Sequence, residues 1–173
     1  MSSTSIGSFE HETGDERYMR AALDQAALAG AASEVPIGAV VVVGDRVVST
    51  GYNRSIACSD PTAHAEIVAM RSAAQAIANY RLVGASLFVT VAPCLMCFGA
   101  MVHARIARLV YGAPNPEFGR VPPAEGDWTS FNHRFDIRAG VLASECSEMV
   151  LEFFRERRSD TVAEPSAGRL GQF

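Results

Sequence analysis

The stretch SLFVTVAPCLMC, Ser86–Cys97, passes from an apolar segment through a proline into two cysteines three positions apart. SLFVTV has the composition of a buried strand. Pro93 suits a first helical position, where its missing N–H costs nothing, and CLMCFGAMVHARI continues as a helix. The next apolar run, ARLVYGA (Ala107–Ala113), is again a strand. Strand, crossing helix and strand in that order predict a right-handed parallel unit. The chain is therefore expected to be α/β, with helices on both faces of one sheet.

Working outward, GAVVVV (Gly38–Val43) and RVVSTGY (Arg46–Tyr52) flank Gly44-Asp45. They predict a hairpin whose first strand is buried on both faces. SDPTAHAEIVAMRSAAQAIANY predicts a helix with its start near Pro61-Thr62. A further helix is expected from Asp15 to about Ala32, a short fifth strand in FDIRAGV, and a last amphipathic helix over Glu145–Arg158 whose LEFF run reads as core. The expected whole is a three-layer α/β/α domain with a mixed five-stranded sheet over residues 15–158. Residues 1–14 and 159–173 read as flexible tails, and 114–131, with four of the eight prolines, as a loop.

The 173 residues suit one domain. No apolar run approaches the roughly 20 residues of a membrane span. The first residues lack the basic and apolar regions of a secretory signal, so a cytoplasmic protein is expected. A net charge of −4 lends no support to non-specific nucleic-acid binding, although RERR (Arg155–Arg158) is a small basic patch. In such a chain a Cys-x-x-Cys pair favours a metal or catalytic role over a disulfide.

The right-handed crossover makes both crossing helices start at one sheet edge. His64 and Glu66 head one helix; Cys94 and Cys97 head the other. Two thiolates and one imidazole suit zinc and leave a fourth place open, as catalytic zinc sites do. A carboxylate beside a metal-activated water is a natural proton shuttle. Taken singly, each feature has an ordinary reading: a redox pair, a polar helix start, an acid favoured by the helix dipole. Their conjunction on two adjacent helices favours the metal site. His103 and His133 lack that context and read as structural; Cys58 and Cys146 read as spare thiols.

His64-Ala65-Glu66 and Pro93-Cys94-Leu95-Met96-Cys97 form the H-x-E and P-C-x-x-C signature of zinc-dependent nucleobase deaminases, which the chain resembles. Further motifs resemble the bacterial tRNA-specific adenosine deaminase branch: VPIGAV (Val35–Val40), GYNR (Gly51–Arg54), DPTAHAEI (Asp60–Ile67), NYRL (Asn79–Leu82), GAMVHARI (Gly99–Ile106), NHR (Asn132–Arg134) and GVLASEC (Gly140–Cys146). The resemblance implies one zinc held by His64, Cys94 and Cys97. It implies a zinc-activated hydroxide attacking C6 of adenine, with Glu66 moving the protons, to give inosine. It implies substrate contacts from Val35, Asn53, Ala65, Pro93 and Asn115, with backbone N–H groups at Ala65 and Cys94 orienting reacting oxygens. Phe154 and Arg155 would lie near the RNA stem. The partners it implies are a tRNA anticodon stem-loop and a second copy of the chain. The alternative is a small amino-heterocycle as substrate.

Two departures bear on that choice. Ala92 stands where close relatives usually carry a glutamate that would support the zinc loop. Pro114-Asn115 replaces the usual Arg-Asp, and the loop after it gains Glu117, Glu125 and Asp127. These acids weaken phosphate attraction, whereas Asn115 removes a charge that would repel it.

Overall fold

In the computed structural model, residues 14–115 and 131–163 are described. The strands are β1 (Gly38–Val43), β2 (Arg46–Tyr52), β3 (Ala85–Val91), β4 (Arg108–Ala113) and β5 (Asp136–Ala139). They form one sheet in the order β2-β1-β3-β4-β5. β1 runs antiparallel to both its neighbours, and β3, β4 and β5 are mutually parallel. The expected mixed five-stranded sheet and its hairpin are present.

The helices are α1 (Gly14–Ala31), α2 (Ser55–Cys58), α3 (Ala65–Ala76), α4 (Leu95–Ala104) and α5 (Ala143–Ala163). Burial follows the strand period. Ala39 and Val41 of β1 pack with Ala69 and Met101 of α3 and α4. Val40 and Val42 pack with Met19 and Ala22 of α1 and with Cys146 of α5. This is why GAVVVV has no polar alternation: both faces of β1 are covered.

Because β2 and β3 both oppose β1, they point the same way. α3 follows β2 and α4 follows β3, so both helices begin at the same edge of the sheet, where open α/β sheets place their sites. Gly51 lets α3 seat on β2. A Cβ there would stand 2.5 Å from the Ala69 nitrogen and 2.6 Å from the Ala65 oxygen.

Local expectations needed three corrections. Pro93 is not the first helical residue; α4 starts at Leu95 with Cys94 as its N-cap. α3 likewise starts at Ala65, past Pro61-Thr62, with His64 as N-cap. α5 continues beyond Arg158 to Ala163. α2 was not foreseen, because four residues are too few to show a helical period. The tail segments 1–13 and 164–173 and the loop acids Glu117, Glu125 and Asp127 lie outside the described residues. Among the described residues, no helix is long and apolar enough to cross a membrane.

An ion cluster around the buried Asp15 ties α1 to the far strands. Asp15 accepts two bonds from Arg108, each 2.7 Å, and one from Arg138. The Arg108 bonds hold the Asp15 carboxyl below the usual carboxylate range against the opposing push of burial, and Arg138 adds to the pull. A depressed folded value stabilises the protein above the unfolded value and is lost as pH falls through the folded one. Asp15→Asn should therefore cost about 1.5–3 kcal/mol at pH 7 in urea unfolding. That deficit should shrink below about pH 4. An equal deficit at pH 7 and pH 3 would show that the charge is irrelevant.

Candidate active site

His64 and Cys94 occupy equivalent places. Each is the N-cap of its helix, in extended conformation (ψ 153 and 171), and neither side chain caps its own helix. Both side chains are thus available to a common ligand. Cys97, in the first turn of α4, completes the set. The Nδ1 atom of His64 lies 3.7 Å from Cys94 Sγ and 3.6 Å from Cys97 Sγ. All three donor atoms lie within 4.8 Å of one another.

These spacings fit zinc. Bonds of about 2.3 Å to sulfur and about 2.0–2.1 Å to nitrogen, at a tetrahedral angle, separate the two donors by about 3.6 Å. The chemistry of the donors agrees. Burial pushes the Cys97 thiol above its ordinary range, and neighbouring Glu66 and Cys94 push the same way. A bound cation reverses this balance, because a coordinating thiol is deprotonated outright. Among the described residues, His64, Cys94 and Cys97 are the set positioned to hold a metal ion.

Glu66, two residues into the helix from His64, is only 4% exposed and stands outside the donor set. Burial raises its pKa, opposed by a bond from its own backbone N–H, by the His64 charge and by Cys97. A carboxyl held in this way can both accept and return a proton, which is what an acid–base shuttle requires.

The site opens into a cavity of about 520 Å³, within the range of small-molecule sites. Val35, Asn53, His64, Glu66, Cys94, Asn115 and Phe154, all singled out from the sequence, line it. Asn53 is held at both ends of its amide: Nδ2 donates to Val35 O at 3.2 Å, and Oδ1 accepts the Ala65 N–H at 2.9 Å. An amide has two N–H groups and two lone pairs, so each end keeps one free for a ligand. Asn115 Nδ2 donates to Ala92 O at 3.4 Å, and the Ala92 N–H donates to Ala113 O at 2.8 Å. Ala92, buried in the cavity wall, thus ties the metal loop through its backbone.

Other expectations change. The Ala65 N–H is engaged by Asn53, so Ala65 anchors that side chain instead of orienting a reacting oxygen. Pro93 is buried and Arg155 exposed, and neither lines the cavity. The LEFF run is not core: Leu151 is 56% and Phe154 41% exposed, and both form a cavity wall with Ser147 and Val150. An apolar helical stripe looks the same in sequence whether it faces a core or a cavity. His133 is structural, its Nε2 bonded to Ile106 O at 2.7 Å. Cys58 is exposed, whereas Cys146 is buried against β4.

Comparison with known proteins gives the family. The cytidine and deoxycytidylate deaminase zinc-binding region matches residues 12–113. A tRNA-specific adenosine deaminase of Haemophilus influenzae is 46% identical over 149 residues, covering 84% of this chain and 86% of that protein. A solved structure from work on A-to-I editing by tRNA:A34 deaminases superposes with a TM-score of 0.72 at 42% identity, covering 77% of this chain and 98% of the other. A guanine deaminase of Bacillus subtilis gives a TM-score of 0.55 at 34% identity, over 57% of this chain and 64% of that one. The chain belongs to the cytidine and deoxycytidylate deaminase zinc-binding family and groups within it with the tRNA-specific adenosine deaminases.

Proposed function

We propose that the protein converts adenosine to inosine at the wobble position of a tRNA anticodon stem-loop. The observation that carries this reading is the conjunction of a zinc-spaced His64–Cys94–Cys97 triad with a buried Glu66 at the floor of a nucleoside-sized cavity. The relatives that match most of its length act on tRNA adenosine by name. Their chemistry is hydrolytic: a C–O bond forms at C6, the C6–N6 bond breaks, and ammonia leaves.

His64, Cys94 and Cys97 hold the zinc, which when bound supplies Lewis-acid activation of the attacking water. Glu66 takes one proton from the attacking water and gives it to purine N1, then carries the water's second proton to N6, so that the amino group leaves as ammonia. Val35 supplies an apolar wall for the purine. Asn53 and Asn115 offer it amide groups, and Pro93 keeps the metal loop extended before Cys94. Ala65 acts through Asn53. Phe154, at the cavity rim, offers a ring on which a neighbouring base can stack, and Arg155 a guanidinium for phosphate.

The protein is further proposed to act in the cytoplasm as a homodimer. The groove between α3 and α4, lined by Ile67, Met70, Tyr80, Leu82 and Ala104 beside Arg71 and His103, is a mainly apolar surface that suits a second copy. A monomer in sedimentation at assay concentrations removes that part of the proposal.

The test is incubation with an anticodon stem-loop RNA beside free adenosine, adenine, guanine and cytosine, with inosine and ammonia as readouts. Turnover of the RNA alone is expected. The likeness to a guanine deaminase makes a free amino-heterocycle the second reading, and turnover of a small molecule alone would select it.

A further inference from the structure

Glu34 is an acid only 3% exposed, beside the Val35 wall of the cavity, and no step above uses it. α1 ends at Ala31, and two residues later Ser33 takes a left-handed φ of 61. The Ser33 N–H bonds Gly30 O at 2.9 Å and the Glu34 N–H bonds Ala29 O at 3.0 Å, the closing pattern of a Schellman turn. That turn brings Glu34 to the start of α2. Its Oε1 accepts the N–H of Ile56 at 2.9 Å and that of Ala57 at 2.8 Å. These are donors that the start of α2 cannot satisfy internally.

α2 buries none of its residues, and Ile56 is 67% exposed. Apolar packing therefore does little to hold α2, and the paired bonds to Glu34 Oε1 do. α2 follows Asn53 by two residues. Asn53 in turn bonds Val35 O and Ala65 N–H through its side chain, and its own N–H bonds Ile37 O at 3.1 Å. Ala65 stands between His64 and Glu66. One hydrogen-bond chain thus joins residues 34–37, residues 53–57 and the head of α3 along one side of the cavity.

We propose that Glu34 is a positioning residue for substrate recognition: by clamping α2 it sets where Asn53 and the Val35 wall meet the base, without touching the metal donors. A simple cap would affect stability alone; a positioning residue also moves KM. The inference rests on the deaminase reading of the site.

The test compares Glu34→Ala, Glu34→Gln and Glu34→Asp in the full chain, reading zinc content, melting temperature, KM and kcat on the stem-loop RNA. Glu34→Ala should keep one zinc and raise KM at least about tenfold, with kcat within about threefold. Glu34→Gln retains an acceptor oxygen at the same reach and should recover most of the loss. Glu34→Asp, one methylene shorter, should not. If Glu34→Ala does not fold, the contrast between Gln and Asp carries the same test. A lower melting temperature with unchanged KM makes Glu34 a stability cap only and overturns the proposal, as does loss of zinc. The parent's turnover keeps the two readings apart. A parent that deaminates only a small amino-heterocycle rejects the tRNA substrate, and the KM comparison is then made with that molecule.

Discussion

Glu66→Gln should leave a folded protein with about one zinc per chain and almost no turnover. The substitution preserves volume in a position only 4% exposed, so it opens no cavity. It leaves the donors His64, Cys94 and Cys97 intact, so metal content should not change. What it removes is the group that accepts and returns protons. Such groups contribute about 10²–10⁴-fold to rate. The expected result is a fall in kcat of at least that size at unchanged zinc stoichiometry, measured by metal analysis beside single-turnover kinetics. Deamination at the parental rate would reject Glu66 as the shuttle. Loss of zinc together with activity would recast it as a support of the metal site.

Cys97→Ser should do the converse, lowering zinc content and turnover together. Cys97 is fully buried, and burial opposes its ionisation. Only a cation at the His64–Cys94–Cys97 site offsets that cost, and a serine hydroxyl is a far poorer zinc donor than a thiolate. Because a ligand that binds only the folded state stabilises it, the variant should also melt at a lower temperature. A chelator should lower the melting temperature of the parent and added zinc restore it. Cys58→Ser is the control: Cys58 is exposed and outside the donor set, so zinc content should be unchanged. Full zinc occupancy in Cys97→Ser would overturn the ligand assignment.

The substrate question turns partly on Ala92 and Asn115. The structure puts them in contact, with the Asn115 amide donating to the Ala92 carbonyl in the cavity wall. An aspartate at 115 could not donate this bond. The backbone N–H of Ala92 donates to Ala113 O, which ties the metal loop to β4 without a side chain at 92. The sequence showed each departure from the family pattern but not that the two residues touch.

What could be read from the sequence is what local chemistry encodes. The unbroken GAVVVV run marked a strand covered on both faces, and Gly44-Asp45 marked its hairpin. The order of strand, helix and strand around Pro93 implied a parallel crossover. That crossover, together with the hairpin that makes β2 and β3 run the same way, sets His64 and Glu66 beside Cys94 and Cys97. Zinc was legible because the H-x-E and C-x-x-C pairs are each short-range motifs, although His64 lies 30 residues from Cys94. What only the tertiary structure decided depends on contacts between distant segments. Glu34 finds its partners 22 and 23 residues away, and Asp15 meets Arg108 and Arg138 across 93 and 123. Val150, Leu151 and Phe154 wall a cavity instead of the core, and their spacing carries no sign of it. The physical reason is range. Strand periods, turn chemistry and helix caps are settled within a few residues, whereas the partner of a buried charge and the surroundings of an apolar face are settled only when the layers pack.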